Sequence, residues 1–476
     1  MSGCKKNKKQ NFNVEELTKY IISDVQEEQL SNLDATVIGE WIAAFERSIK
    51  PYLKFLKTLY KGAEDIAKVE FENLTIDNQV HSNLASMIVH NATNYFIGKP
   101  VTRSYSDSFK NSKKDEIINE VCNRCKEKKE NKTLAKDGSI FGMAYEIVNF
   151  DSNKELYFKR LDPLSTFRIV NDSVFEEDIA YVTYKKVLVN NKLVKKGYCY
   201  TKDWIYSFDN SSNAFRIIDR VPNVLKEIPV VIYPNNDEWT GDFEFVTELL
   251  GAYNKLISCS FDDFESIANA LLVLYNAMLD EEEQGKMKKS RMVSLVSEDG
   301  QKEVKAEYIY KKLDTASFKE MRTAIKDDII TITNVPDLKD ENFAGNQSGV
   351  AISYKLIGFE NLRADKQTYF DDALQRRYEL IGKNPLASFN LKDGDIKNTF
   401  YQNLPKNIEK DLQVAGLYKD GVLSLESTLD EMEIVDNSED ELKKIKDEEK
   451  ELIKRQKEAL NEELPTDMNN QNRLKV

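Results

Sequence analysis

The chain has 476 residues, enough for two to four domains at roughly 150 residues each. Its 41% hydrophobic content can build real cores, which excludes a wholly disordered chain, and a net charge of −13 excludes a protein that coats nucleic acid through a basic footprint. Five cysteines in a chain this long suit a reducing compartment, no apolar run reaches the about 18 residues of a membrane span, and the basic start "MSGCKKNKKQ" lacks the apolar stretch of a secretion signal and reads as a solvated tail.

From Val14 to Ala67 the apolar spacing is helical, strongest in "GEWIAAFERSIKPYLKFLKTLY", where Pro51 is expected to break or kink the helix. In "NQVHSNLASMIVHNATNYFIGKPVTRSY", Val80, Leu84, Met87, Ile88 and Asn91 to Tyr95 share one helical face, ended by Gly98 and Pro100. Here His81 and His90 lie nine residues apart, whereas a zincin pair needs a spacing of four, so both are expected to pack along the helix. Residues 115–136 predict a further, strongly charged helix. It carries the C-x-x-C of Cys122 and Cys125, but zinc needs two more ligands and a second C-x-x-C is absent.

Between Gly138 and Pro234 the period changes to two. "MAYEIVNF", "ELYFKRLD", "FRIVN", "IAYVTYKKVLV", "KGYCYTKDWIYSF", "FRIIDRV" and "IPVVIY" predict a β-rich region over 138–234. The helical period returns at Phe243 and holds through Val246, Leu250, Tyr253, Ile257, Phe264 and Leu271 to about Asn276, a rod of roughly 50 Å. "ANALLVLYNAML" at its end reads as buried helix. The Asp299-Gly300 pair between two strand-like runs signals a hairpin. Phe318, Met321, Ile325, Ile329 and Ile332 then mark a second helix, stopped by Pro336.

In "DLKDENFAGNQSGVAISYKLIGFENL", Gly345 and Gly349 frame Asn346, Gln347 and Ser348 at the start of a third long helix. A glycine-rich loop opening a helix can cradle phosphate. The nucleotide-binding form needs G-x-x-x-x-G-K-[ST]; here the spacing is one residue short and Val350-Ala351 stand where Lys-Ser belongs. Ile352, Leu356, Phe359, Leu362, Phe370, Leu374, Tyr378 and Ile381 mark the third helix, with Gly358 a candidate kink. The tail from Leu391 reads as mostly helical. Residues 430–463 hold fourteen acidic against seven basic side chains, and the last dozen, from Pro465, read as disordered.

Catalytic readings fare poorly. Asp262-Asp263, Asp327-Asp328 and Asp371-Asp372 are carboxylate pairs of the kind a two-metal nuclease uses, but neighbours on a helix point about 100° apart and do not converge. No G-x-S-x-G or Cys–His nucleophile arrangement stands out. The residues therefore indicate an α+β protein in which long apolar-striped helices surround a small insertion, and such stripes find their partners in an oligomer.

Several stretches resemble, in sequence and in order, the portal proteins of tailed bacteriophages of the siphophage type. They are "NYFIGKPV", "DGSIFGMAYEIVNFDSNKELYFKRLDPLSTFRIVND", "NNDEWTGDFEFVTELLGAYNKLISCSFDDFES", "ENFAGNQSGVAISYKLIGFE" with the "RRYELI" helix, and "GVLSLESTLDEMEIVDNSEDELKKIKDEE". Together they span residues 70–460. The Ser424-Leu425-Glu426-Ser427-Thr428 stretch and Glu433 depart from the pattern.

The resemblance implies a ring, commonly of about twelve subunits in closed symmetry, at one capsid vertex. Double-stranded DNA would be packaged and ejected through it without catalysis, cofactor or metal. The portal fold implied has an N-terminal tail and wing (1–242), stem helices (243–276 and 315–336), a small α/β clip (277–314), a tunnel loop (337–349), a tunnel helix (350–383), a helical crown (384–464) and a disordered tail (465–476). Implied partners are further copies of the chain, DNA in transit, the terminase large subunit, the head–tail connector, and the major capsid and scaffold proteins, with no membrane. The implied location is the virion, with assembly in the host cytoplasm. The rival readings are another head–tail connector or scaffold ring component, or a DNA-processing enzyme.

On this reading the loop residues Asn342, Phe343, Gly345, Asn346, Gln347, Ser348 and Gly349 contact DNA. Asn342, Asn346, Gln347 and Ser348 offer neutral, exchangeable hydrogen bonds to the backbone, whereas arginines would hold the duplex through counterion release. Phe343 either anchors the loop or touches the duplex, and the glycines let the loop shift. Lys286, Lys288, Lys289 and Arg291 in the clip either meet a partner or DNA at the exit, or form a plain solvated turn.

Overall fold

The computed structural model describes residues 18–63, 78–110, 112–151, 153–212, 214–268, 271–275, 305–309, 315–337, 349–385, 388–401, 408–432, 435 and 438–462. The chain opens with a short strand, β1 (Ile21–Ser23), and helices α1 (Glu27–Leu30) and α2 (Ala35–Ala44). The Asp34 carboxylate caps α2 by accepting from the Thr36 amide at 3.1 Å. Then α3 (Lys50–Lys61) buries Tyr52, Leu53, Leu56 and Leu59 and closes on Gly62 at φ 62°. Pro51 does not break the rod. A five-residue π segment, Phe45–Ile49, joins α2 to α3, and such a widened turn accommodates a proline that lacks an N–H and crowds the preceding turn.

Helix α4 (Leu84–Ile97) buries nine of its fourteen side chains. His90 lies on it, near the Tyr60 hydroxyl at 3.4 Å, but His81 precedes the helix. After β2 (Thr102–Tyr105) and α5 (Asp107–Lys110), the helix expected over 115–136 is two helices, α6 (Lys114–Arg124) and α7 (Glu127–Phe141). The break falls at Cys125-Lys126, where Lys126 takes a left-handed φ of 56° that no glycine or proline signals. The same helix α7 runs into the region expected to be β, so strands begin only at Met143.

Eight strands then fill Met143 to Pro234: β3 (Met143–Phe150), β4 (Leu156–Leu161), β5 (Thr166–Asn171), β6 (Asp178–Val189), β7 (Lys192–Tyr200), β8 (Trp204–Asp209), β9 (Arg216–Pro222) and β10 (Val230–Pro234). One sheet has the order β1-β5-β6-β7-β8-β9, antiparallel except that β1 runs parallel to β5. The second is β10-β3-β4. Its middle strand is buried on both faces from Met143 to Val148: Ala144, Glu146 and Val148 lie under α7 and a long C-terminal helix, whereas Met143, Tyr145 and Ile147 join the core of the six-stranded sheet.

A 3-10 turn (Glu244–Val246) leads into α8 (Thr247–Ala268). The helix expected to continue to 276 ends at Ala268. Leu271–Tyr275 is instead a strand, β11, antiparallel to β12 (Lys305–Ile309) in the register Leu271↔Ile309. Five consecutive apolar residues carry no period, so helix and strand look alike in sequence. The Asp299-Gly300 turn lies outside the described residues, and among those described β12 pairs only with β11.

Helix α9 (Thr315–Thr333) packs on α8, and α10 (Gly349–Gly382) follows. The tail is not helical throughout: β13 (Ile396–Thr399) pairs with β2 before α11 (Ile408–Lys419), α12 (Leu425–Glu431) and the exposed α13 (Ser438–Glu462). Two buried clusters result. One joins α2, α3 and α4 to the six-stranded sheet and the start of α8; the other joins α6, α7 and the second sheet to the C-terminal half of α10.

Candidate functional site

The 34-residue α10 spans about 51 Å and is the longest described element. Its first residue is Gly349, so it starts where the glycine-framed loop ends. Asn342, Phe343, Gly345, Asn346, Gln347 and Ser348 lie outside the described residues, as do Lys286, Lys288, Lys289 and Arg291. What can be built is the apparatus that holds the helix carrying that loop.

The first hold is the crossing with α9. Asn334, left-handed at φ 53°, lies directly against Gly358: a Cβ there would sit 2.6 Å from the Asn334 Oδ1. Gly358 therefore serves a close approach, and α10 runs on through it as helix. Below the crossing, Lys326 pairs with Asp337 at 2.5 Å, tying the end of α9 to the start of the loop segment. At the next two residues of α10, Phe359 stacks on Tyr95 of α4 with ring centroids 4.0 Å apart, and Glu360 accepts from the Tyr95 hydroxyl.

The second hold is a buried cation. Lys366 Nζ meets Asp242 at 2.7 Å and donates to Asn235 Oδ1 at 2.6 Å and Ser139 Oγ at 2.9 Å. Burial lowers its pKa and Asp242 pulls it back. Asn235 also donates to Asp242 at 2.9 Å, so α7, the end of β10 and the lead into α8 converge on one ammonium.

The third hold lies three turns on. Arg377, fully buried, donates Nε to Glu146 Oε2 at 2.6 Å and Nη2 to Glu146 Oε1 at 2.9 Å, a bidentate pair with the central strand β3. It also reaches Asn131 at 2.7 Å and Glu127 at 3.2 Å on α7, and lies 4.3 Å from the Phe158 ring centroid. Tyr233 donates to the same Glu146 at 2.8 Å. Burial raises the Glu146 carboxyl above the usual range while Arg377 pulls it down.

A matching cluster lies at the mouth of α8. Lys19 Nζ meets Glu244 at 2.8 Å and donates to the carbonyls of Phe141 and Trp239 at 2.9 and 2.7 Å. Tyr52 donates to Glu244 at 2.8 Å. Gly142, at φ 82°, is required here, because a Cβ would fall 1.7 Å from the Trp239 oxygen.

None of these charged residues stood out as a site residue in the sequence. The available signal is that Lys366 and Arg377 occupy apolar-stripe positions of α10, seven residues after Phe359 and Phe370. A charge at core spacing calls for a buried counter-charge.

The carboxylate pairs do not converge. Asp262 accepts from the Asn78 amide at 3.0 Å and Asp371 from Asn398 at 2.6 Å, and no group of three metal-ligating side chains occurs among the described residues. Cys122 is buried and its thiol is pushed up to about 12, chiefly by that burial. Cys125 Sγ accepts from the Phe158 amide at 3.2 Å. Among the described residues no helix is long and apolar enough to cross a membrane.

The described residues thus form a mixed α+β body in which buried ion pairs fasten a long helix. A family model described as "Phage portal protein, SPP1 Gp6-like" matches residues 40–455, and the chain belongs to that family of virion components. The portal protein of Bacillus phage SPP1 is 22% identical to it over 486 residues, covering 94% of this chain and 93% of that protein. A chain from the solved neck of an empty GTA particle, computed with C6 symmetry, aligns at a TM-score of 0.45 and 11% identity, over 76% of this chain and 92% of that one.

Proposed function

We propose that the chain assembles into a closed ring of about twelve copies at one capsid vertex, through which double-stranded DNA is packaged and later ejected. The observation that carries this is the family match over residues 40–455, which takes in every long helix but the end of α13. Supporting it, α8, α9 and α10 expose Phe261, Phe264, Met321, Ile332, Tyr354 and Ile357, apolar side chains that a neighbouring copy would cover.

In this reading α8 and α9 are the stem, and the clip starts at the β11–β12 ladder rather than at 277. The clip, with Lys286, Lys288, Lys289 and Arg291, docks the terminase large subunit and then the head–tail connector. Residues 337–349 ring the duplex, with Asn342, Phe343, Gly345, Asn346, Gln347, Ser348 and Gly349 at its backbone. Capsid and scaffold proteins meet the wing, and assembly takes place in the host cytoplasm. The energy for translocation comes from a separate ATPase.

The test is nuclease-protected DNA in heads assembled with and without this chain. Protection that requires the chain, and that is lost when 338–348 is deleted while the heads still form, is the expected result. Full heads without the chain would overturn the proposal.

A further inference from the structure

Residues 179–202 contain six lysines and no acidic side chain, in a chain whose net charge is −13. They form the β6–β7 hairpin, whose register sets Lys185 opposite Lys196 and Lys186 opposite Lys195. Like charges directly across a ladder repel. Among the described residues only Glu46 answers them, pairing with Lys195 and lying 3.5 Å from Lys50. Lys50 is itself held below the usual lysine range, first by burial and further by Lys186 and Lys54. Lys185, Lys192 and Lys196 are exposed and form no ion pair among the described residues. Between them Val187, Leu188 and Leu193 are 40%, 64% and 69% exposed. A surface that mixes cations with bare aliphatic side chains suits a protein partner better than a phosphate backbone, which has nothing to cover the leucines.

The opposite character occurs elsewhere in the same chain. Residues 420–442 hold nine acidic side chains and no basic one. In the described part, where α11 turns into α12, Asp420, Glu426, Asp430 and Glu431 are exposed and form no ion pair among the described residues. Beside them Leu417, Tyr418 and Val422 are 42%, 46% and 67% exposed. Among the described residues no hydrogen bond or ion pair joins this corner to the hairpin within one chain.

We propose that the β6–β7 hairpin of one copy seats on the α11–α12 corner of the next. The inference rests on the ring reading above. A contact between two different patches of identical chains is heterologous, and repeated by rotation it closes a ring. Its charge complementarity sets the direction of assembly, and the aliphatic side chains supply the area buried.

The test uses full-length chain. Ring mass is measured by light scattering for wild type, for Lys185→Glu/Lys196→Glu, for Asp430→Lys/Glu431→Lys, and for the four changes together. Each double reversal is expected to raise the concentration for half-assembly at least tenfold, with circular dichroism unchanged, and the combination to restore it. In parallel, carbodiimide cross-linking of mixed ¹⁵N-labelled and unlabelled wild-type chains should yield inter-chain links from Lys185 or Lys196 to Asp430 or Glu431. Rings indifferent to the reversals, or an absence of those links, overturn this contact and leave the ring reading standing. Reversals that release bound DNA from an intact ring overturn it in favour of a phosphate-binding hairpin. A wild-type chain that forms no ring in any condition overturns both.

Discussion

Replacing Arg377 by methionine keeps most of the side-chain volume but removes five N–H donors from a site where both it and Glu146 are fully buried. Glu127 retains Arg103 as a partner, whereas among the described residues Glu146 retains only the Tyr233 hydroxyl. A buried carboxylate stripped of its counter-charge costs about 3–5 kcal/mol, and the loss of the Asn131 and Glu127 contacts falls within that range. The assay is urea unfolding followed by tryptophan fluorescence, wild type against variant. Because burial already holds the Glu146 carboxyl above its ordinary range, removing the cation raises it further. The folded variant then takes up a proton more readily than the unfolded chain, so its deficit shrinks as pH falls from 7 towards 5. Arg377→Met/Glu146→Leu, which removes both charges, should recover most of the stability at neutral pH. A single-variant loss below about 1 kcal/mol, or a double variant no better than the single, would refute the claim that this pair fastens α10.

Four further outcomes are expected. Gly358→Val should destabilise the α9–α10 crossing, and Asn334→Gly, which suits the φ of 53° and removes the facing amide, should restore part of the loss, as a double-mutant cycle by urea unfolding will show. The Asp137 carboxyl, pushed up to about 6 by burial against the pull of Arg160, makes stability fall as pH rises from about 4 to about 6, and Asp137→Asn should flatten that part of the profile. Cys122 should resist alkylation at pH 7.5 in the folded chain and react on unfolding, read by mass spectrometry. Asn346→Arg should increase DNA retained by the assembled protein at low salt and steepen its loss with rising salt, measured by filter binding.

How far the sequence could be read follows from which physical signals it carries. The apolar spacing of α2, α3, α4 and α10 states which face is buried, and the fold honours it, whereas the strands expected from alternation form but β6 is buried at four consecutive residues, Ile179 to Val182. The end of α8 was hidden because Leu271–Tyr275 is apolar throughout and has no face to declare. The split between α6 and α7 was hidden because a lysine, Lys126, takes the left-handed turn that glycine usually marks. Lys366 and Arg377 were visible only as faults in an apolar stripe, since their counter-charges Asp242 and Glu146 lie 124 and 231 positions away and only the fold unites them. Gly358 reads in sequence as a candidate kink, and what only the fold supplies is its close approach to Asn334.

The most direct test of the whole account is the solution mass of the purified full-length chain together with its end view in negative stain. The account expects a closed ring with an axial hole and a mass of about 660 kDa, roughly twelve copies of the 54.9 kDa chain. A chain that stays monomeric at high concentration and cleaves DNA or hydrolyses ATP would contradict it.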